Sequence, residues 1–228
     1  VASGASAGVE LTLAQELLRA EFDAGGPLID HFIYALAGDG DPMEGVSYEA
    51  ASLAGHWGLG RLIVVYDSNE ITIEGSADLA FSEDAAARFA ACGWHVQRVD
   101  GHDCDAIEAA LAAARDEKAR PSLVIAKTRI AKGSPGREGS EESHGAPLGD
   151  DEVKKTKANL GCDPDGTFCV NERVYEIFAM RRKELESEYD AWRTMFDKKV
   201  KGELKKRWDR FFDAVDADSL RGALPVFE

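Results

Sequence analysis

The sequence has no run of apolar residues long enough to span a bilayer, and its start, Val1-Ala2-Ser3-Gly4, lacks the basic-then-apolar layout of an export signal. The cytoplasm is therefore the expected location. No cluster of lysine and arginine offsets a formal net charge of −15, so neither nucleic acid nor an anionic membrane is an expected partner. The four cysteines, Cys92, Cys104, Cys162 and Cys169, form no Cys-x-x-Cys pair and have no histidine at zinc-finger spacing. Reduced thiols are the expectation. No Gly-x-Gly-x-x-Gly follows the first apolar run, which argues against a dinucleotide-binding Rossmann domain. There is no internal repeat and no low-complexity segment.

What is present is enough for one sizeable core plus an appendage: 228 residues, 44% hydrophobic and 30% charged. The chain is organised around Gly38-Asp39-Gly40-Asp41-Pro42-Met43-Glu44-Gly45. The preceding Phe32 to Ala37 is a short apolar run bounded by glycine and reads as a buried parallel strand. From Val46 to Trp57 the spacing predicts a helix, with Val46, Ala50, Leu53, Ala54 and Trp57 near one face. Strand, glycine turn and helix in this order bring backbone N–H groups and a helix N-terminus toward a phosphate. A second apolar run, Arg61 to Tyr66, ends in Asp67-Ser68-Asn69, about thirty residues after Asp39, the length of one βαβ step. Asp39 and Asn69 are then expected at the same sheet edge, as hard oxygen ligands too few to complete an octahedral magnesium. Such an ion takes the rest of its shell from substrate phosphate and water, and Gly38 and Gly40 leave room for that phosphate.

The remaining elements follow the same alternation. Gly4 to Leu18 reads as a helix with Ala5, Val9, Leu11 and Leu17 as apolar positions, stopped at Asp23-Ala24-Gly25-Gly26-Pro27. Glu70 to Glu74 alternates like a strand, but its polar surroundings favour a loop. Ser82-Glu83-Asp84 opens a helix through Ala91, Trp94 to Val99 is a strand, Asp105 to Glu117 a helix and Ser122 to Ala126 a strand. The expected fold is α/β, a doubly wound, mostly parallel sheet flanked by helices, with ligands at the carboxyl edge. Arg129 to Ser143 is a long loop, and a loop of that length is disordered or functional. Gly149 to Leu160 reads as a short polar helix. From Glu172 the apolar residues Leu185, Tyr189, Trp192, Phe196, Leu204, Trp208, Phe211 and Phe212 recur at helical spacing amid dense charge, as two long helices broken near Gly202. The domains are expected at 1–160, the diphosphate- and metal-binding α/β part, and 161–228, a helical extension whose stripe packs on the domain itself or on a partner.

A lone Gly-Asp-Gly is only a tight turn. Followed by Asn69, by Glu49-Ala50-Ala51-Ser52-Leu53-Ala54-Gly55, Gly93-Trp94-His95-Val96, Asp100-Gly101-His102-Asp103, Lys127-Thr128, Gly133-Ser134-Pro135 and Ser143-His144-Gly145-Ala146-Pro147, it resembles the transketolase family. The resemblance covers about residues 1 to 160 and implies the thiamine-diphosphate-binding fold, with thiamine diphosphate and magnesium, or calcium or manganese as substitutes, as cofactors. It implies metal binding by Asp39, Asn69 and the main-chain carbonyl of Ile71, diphosphate binding by Gly38 and Gly40, and cofactor contact and catalytic roles for Glu44 and His144. Glu44 matches a glutamate of an acidic network near the subunit interface, and an imidazole at His144 can donate to diphosphate or substrate and exchange a proton near neutral pH. His102 is expected to be structural. The implied activity is transfer of a two-carbon ketol unit from a ketose phosphate to an aldose phosphate, with a pyrimidine-binding domain or subunit supplying the other half of the site in a homodimer or hetero-oligomer. The absent initiator methionine and the missing family segment before Gly4 lead to the expectation of a portion of a longer chain or of a divided enzyme. Asp41-Pro42, Ser68, Ala131 and Gly136-Arg137 depart from the family pattern, Ala131 where a glycine is usual, and leave the substrate open. Dihydroxyacetone synthase, a divided ketol transferase with another substrate, and a non-catalytic cofactor-binding or scaffold module are the alternatives.

Overall fold

The computed structural model describes residues 3–23 and 28–213, so the Ala24 to Pro27 part of the expected helix stop lies outside the described residues. By packing, the chain divides into two units, Val1–Leu17 with His31–Cys169 and Leu18–Asp30 with Val170–Glu228. The expected boundary lies at residue 160, whereas packing changes at Cys169 and also assigns Leu18–Asp30 to the second unit.

In the first unit α1 (Ser3–Phe22, its first fifteen or so residues) precedes β1 (Ile33–Ala37), α2 (Gly45–His56), β2 (Leu62–Ser68) and a two-residue hairpin of β3 (Ile71–Thr72) and β4 (Gly75–Ser76). Then come α3 (Ala85–Ala91), β5 (His95–Asp100), α4 (Cys104–Asp116), β6 (Ser122–Lys127) and α5 (Asp150–Asn159). Four strands pair in the order β1-β2-β6-β5, all parallel, with Ala37 opposite Tyr66 and Ser68 opposite Lys127. The two central strands, Leu-Ile-Val-Val-Tyr and Ser-Leu-Val-Ile-Ala, are buried almost throughout, as strands covered on both faces must be. Asp84 and Asp103 cap α3 and α4, each accepting a backbone N–H of the first turn.

Four expectations are corrected. β1 is buried on one face only: Ala35 and Ala37 are buried, while Tyr34, 49% exposed, and Leu36, 77% exposed, lie on the other. α2 faces inward with only part of the expected face, Ala50 and Ala54. Ser47, Ala50, Ala51 and Ala54 face the core while Val46, Leu53 and Trp57 are about half exposed. The cause is a close approach: a Cβ on Gly55 would meet the Cys92 carbonyl oxygen at 1.7 Å, and only small residues let the helix lie that near the turn after α3. There Trp94, 3% exposed, donates its indole N–H to the Ala51 carbonyl at 2.8 Å and packs edge-on to Phe89. Finally, residues 70–76 form the β3–β4 hairpin rather than an irregular loop. The two outer apolar positions of α1, Leu11 and Leu17, are also exposed, and Val9, Thr12 and Gln15 are buried instead.

In the second unit α6 (Glu172–Lys199) and α7 (Gly202–Phe212) are the two expected helices, broken at Val200-Lys201. Phe22, Leu28, Ile29, Phe196 and Val200 are buried, with Trp192, Leu204 and Trp208 packed against them. Trp192 donates to the Leu28 carbonyl at 2.8 Å. Leu185, Tyr189, Phe211 and Phe212 of the expected stripe are exposed. All four cysteines are free, and among the described residues no helix is long and apolar enough to cross a membrane.

Candidate functional site

Asp39 sits one residue past the Gly38 that follows β1, 5% exposed, and the end of β2 encloses its carboxylate. Oδ1 accepts from the Tyr66 hydroxyl at 2.7 Å, and Oδ2 accepts from the N–H groups of Asn69 at 2.9 Å and Glu70 at 2.7 Å. Parallel pairing of β1 with β2 makes this possible, because it ends both strands at one sheet edge. Glu70 adopts a left-handed backbone, φ 66°, held by that bond and by Ala77 N–H donating to its carbonyl at 2.8 Å. Asn69 Oδ1 accepts from the Ile71 N–H at 2.9 Å, which fixes the amide as the hairpin begins.

The glycine turn is drawn together from within. Asp41 Oδ2 accepts from the Gly38 N–H at 2.7 Å, and Ser47 Oγ donates to the Asp41 carbonyl at 2.7 Å. At Gly40 a Cβ would meet nothing within 4 Å and φ is an ordinary −72°, so neither backbone strain nor packing in the chain calls for glycine there. Open space on the cavity side fits a ligand that comes close to the backbone. Glu44 is exposed at the N-cap of α2, where its side chain makes no capping bond.

A cavity of about 500 Å³ is lined by Gly38, Asp39, Gly40, Glu44, Asn69, Ile71 and His144, with Asp41, Met43, Thr72, Ile73 and Glu74 completing its wall. All seven expected site residues thus meet in one place, although His144 lies in a loop more than seventy residues beyond the others. Asp39 uses three of about four lone-pair positions on its carboxylate and Asn69 Oδ1 one of its two. One remains on each. Two hard oxygens at adjacent strand ends fit an ion whose shell is completed from outside the chain.

Sequence reasoning missed Tyr66. It ends an apolar strand, and nothing in its spacing distinguishes it from Val64 or Val65, yet burial raises its phenol pKa well above the usual range and the Asp39 carboxylate raises it further. The hydroxyl thus stays a donor to Asp39. His102 is exposed, and its Nε2 accepts from the Arg129 N–H at 3.0 Å. It lines a second cavity, about 840 Å³, with Arg98, Lys127 and Arg129, each paired to a carboxylate: Asp84, Glu70 and Glu138.

A parallel sheet with a glycine turn, an enclosed carboxylate and an amide oxygen at its carboxyl edge defines an α/β cofactor-binding domain. Residues 1–216 match the family described as Transketolase, thiamine diphosphate binding domain. The chain belongs to that family. It is 44% identical to a transketolase of Staphylococcus aureus over 99% of this chain and 35% of that protein, and 41% identical to Transketolase 2 of Aliivibrio fischeri over 94% of this chain and 34% of that one. Among solved structures it resembles the transketolase of Campylobacter jejuni, with a TM-score of 0.85 and 41% identity over 91% of this chain and 32% of that one. A Pichia stipitis transketolase in complex with fructose 6-phosphate gives a TM-score of 0.89 at 36% identity over 100% of this chain and 34% of that one. The chain spans about a third of the length of the relatives it matches.

Proposed function

We propose that this chain is the diphosphate- and metal-binding part of a transketolase that moves a two-carbon ketol unit from a ketose phosphate to an aldose phosphate. The observation that carries the reading is the single cavity in which Gly38, Asp39, Gly40, Glu44, Asn69, Ile71 and His144 meet. In this reading Asp39, Asn69 and the Ile71 carbonyl hold magnesium, for which calcium or manganese can substitute, and the Gly38 to Gly40 turn receives the diphosphate. Thiamine diphosphate, when bound, supplies the carbanion-stabilising chemistry of the transfer. The residues of the chain hold and orient. Tyr66 and the N–H groups of Asn69 and Glu70 keep the Asp39 carboxylate aimed, and His144 donates to diphosphate or substrate oxygen and exchanges a proton with it. Glu44, exposed on the cavity wall, faces a neighbouring domain and links paired sites.

Residues 1–160 form the binding domain and 161–228 a helical extension. The rest of the site, a pyrimidine-binding domain or subunit, comes from elsewhere in a homodimer or hetero-oligomer, and the assembly works in the cytoplasm on sugar phosphates. The S. aureus and A. fischeri relatives are transketolases, which favours this reading over dihydroxyacetone synthase or a scaffold module.

Calorimetric titration of the polypeptide with thiamine diphosphate is the test. Heat of binding is expected with magnesium and not after chelation. Absence of magnesium-dependent binding would overturn the metal and diphosphate assignment, and sustained ketol transfer by this polypeptide alone would overturn the need for a second domain.

A further inference from the structure

His144 is exposed and caps a single 3-10 turn, Glu141–Ser143, at the end of the long loop from Arg129, so neither a strand nor an α-helix brings it to the cavity. The loop is not slack. Ser134 is 1% exposed and donates its hydroxyl to Glu152 Oε1 at 2.5 Å, and the Gly136 N–H donates to the same oxygen at 2.6 Å. Glu152 lies in the first turn of α5, with its side chain only 15% exposed. The next residue along, Arg137, carries the carbonyl that accepts from Ser143 Oγ at 2.8 Å, and Ser143 immediately precedes His144. A continuous line of short bonds therefore runs from a helix carboxylate through Gly136 and Arg137 to Ser143 and the histidine. Other bonds shape the loop within itself: Gly133 N–H to Glu138 at 2.8 Å, Gly139 N–H to the Ile130 carbonyl at 2.9 Å, Ser140 N–H to the Arg137 carbonyl at 3.2 Å, His144 N–H to the Glu141 carbonyl at 2.8 Å and an Arg137–Glu142 ion pair, while Asn159, donating to the Gly133 carbonyl at 2.8 Å, joins Glu152 in tying the loop to α5.

We propose that Glu152 is a positioning residue for His144: its carboxylate latches the 134–136 segment to α5 and thereby holds the imidazole at the cofactor cavity. The proposal deepens, and rests on, the reading of His144 as a contact of the diphosphate. A charged acceptor taking two donors through one oxygen is among the stronger hydrogen-bonding arrangements, and its loss frees a segment that has no ladder of its own. No contact of Glu152 with the cofactor is required.

The experiment has two arms on the full chain. Without cofactor, trypsin reports on the loop, which contains Lys132 and Arg137. Cleavage at these two sites is expected to be slow in the wild type and about 10-fold faster in Glu152→Ala, with Glu152→Gln, which keeps an acceptor oxygen, in between. With magnesium, titration of thiamine diphosphate is expected to weaken about 10-fold in Glu152→Ala and by a similar factor in His144→Ala, and the double variant is expected to be no weaker than His144→Ala. Unchanged cleavage in Glu152→Ala, or additive losses in the double variant, would overturn the proposal. A wild type that binds no cofactor would instead overturn the diphosphate reading and with it the purpose assigned to the latch, while the cleavage rates still decide whether the latch exists. Should Glu152→Ala fail to fold, Ser134→Ala removes one donor to the same oxygen and is read in the same two arms.

Discussion

Two loops meet at the cavity and are held in opposite ways. The tip of β1 is buried, and the strand beside it grips the Asp39 carboxylate with one hydroxyl and two N–H groups. The His144 loop is largely exposed, and side-chain carboxylates from Glu138 and Glu152 organise it. The sheet cannot lose the first arrangement without disturbing itself, because the same groups close the β1 and β2 ends. The second can loosen while the sheet stays intact. A site built this way has one wall tied to the sheet and another set by bonds within its loop and to α5, and the second is the easier to open.

The sharpest way to break that comparison is to remove one residue from each wall. Asp39→Ala deletes the acceptor of three donors, one of them buried, and is expected to cost about 1–3 kcal/mol of stability, besides weakening magnesium-dependent diphosphate binding by more than about 100-fold. His144→Ala is expected to change stability by less than about 0.5 kcal/mol while still weakening binding, since an exposed side chain leaves no orphaned partner. Thermal unfolding and calorimetry on the same samples separate the two, and equal stability losses would erase the distinction. Next in size is Tyr66→Phe. The ring still fills its place, but one of the three donors to Asp39 is gone, so diphosphate binding is expected to fall about 10-fold with a stability loss of about 1–2 kcal/mol. Binding that stays at the wild-type level would show that the two N–H groups suffice to aim the carboxylate.

The fixed wall was largely legible in the amino acids, the movable one only as a possibility. Continuous apolar runs such as Leu62 to Tyr66 and Ser122 to Ala126 read as parallel strands covered on both faces, and Gly38-Asp39-Gly40 after β1 and Asn69 after β2 give the edge its chemistry. What periodicity could not supply was which side of α2 faces inward. A helix with both alanine and larger apolar residues has two candidate faces, and the choice fell to Ala50, Ala51 and Ala54 because of how near Gly55 comes to Cys92, a tertiary fact. Tyr66 was hidden for a similar reason: its partner lies 27 residues away and only strand pairing makes them neighbours. Glu152 was read as one more charge on a polar helix, since nothing local marks a carboxylate whose donors lie 16 and 18 residues upstream.

The smallest effect tests the movable wall from the inside. Ala131 has a left-handed backbone, φ 51°, at the start of the latch loop, and the Ser134 N–H donates to its carbonyl at 3.0 Å to close the turn. A Cβ in that conformation costs about 1–2 kcal/mol. Replacement by glycine relieves the strain but adds freedom to the unfolded chain, which takes back about 0.4–1 kcal/mol. Ala131→Gly is therefore expected to stabilise the protein by about 0.5–1 kcal/mol, seen as a rise in the unfolding midpoint, and to slow trypsin at Lys132 and Arg137 in step. Destabilisation would mean that the positive φ is not strained at this position. The loop's order would then depend less on its backbone and still more on the carboxylate that holds it from α5.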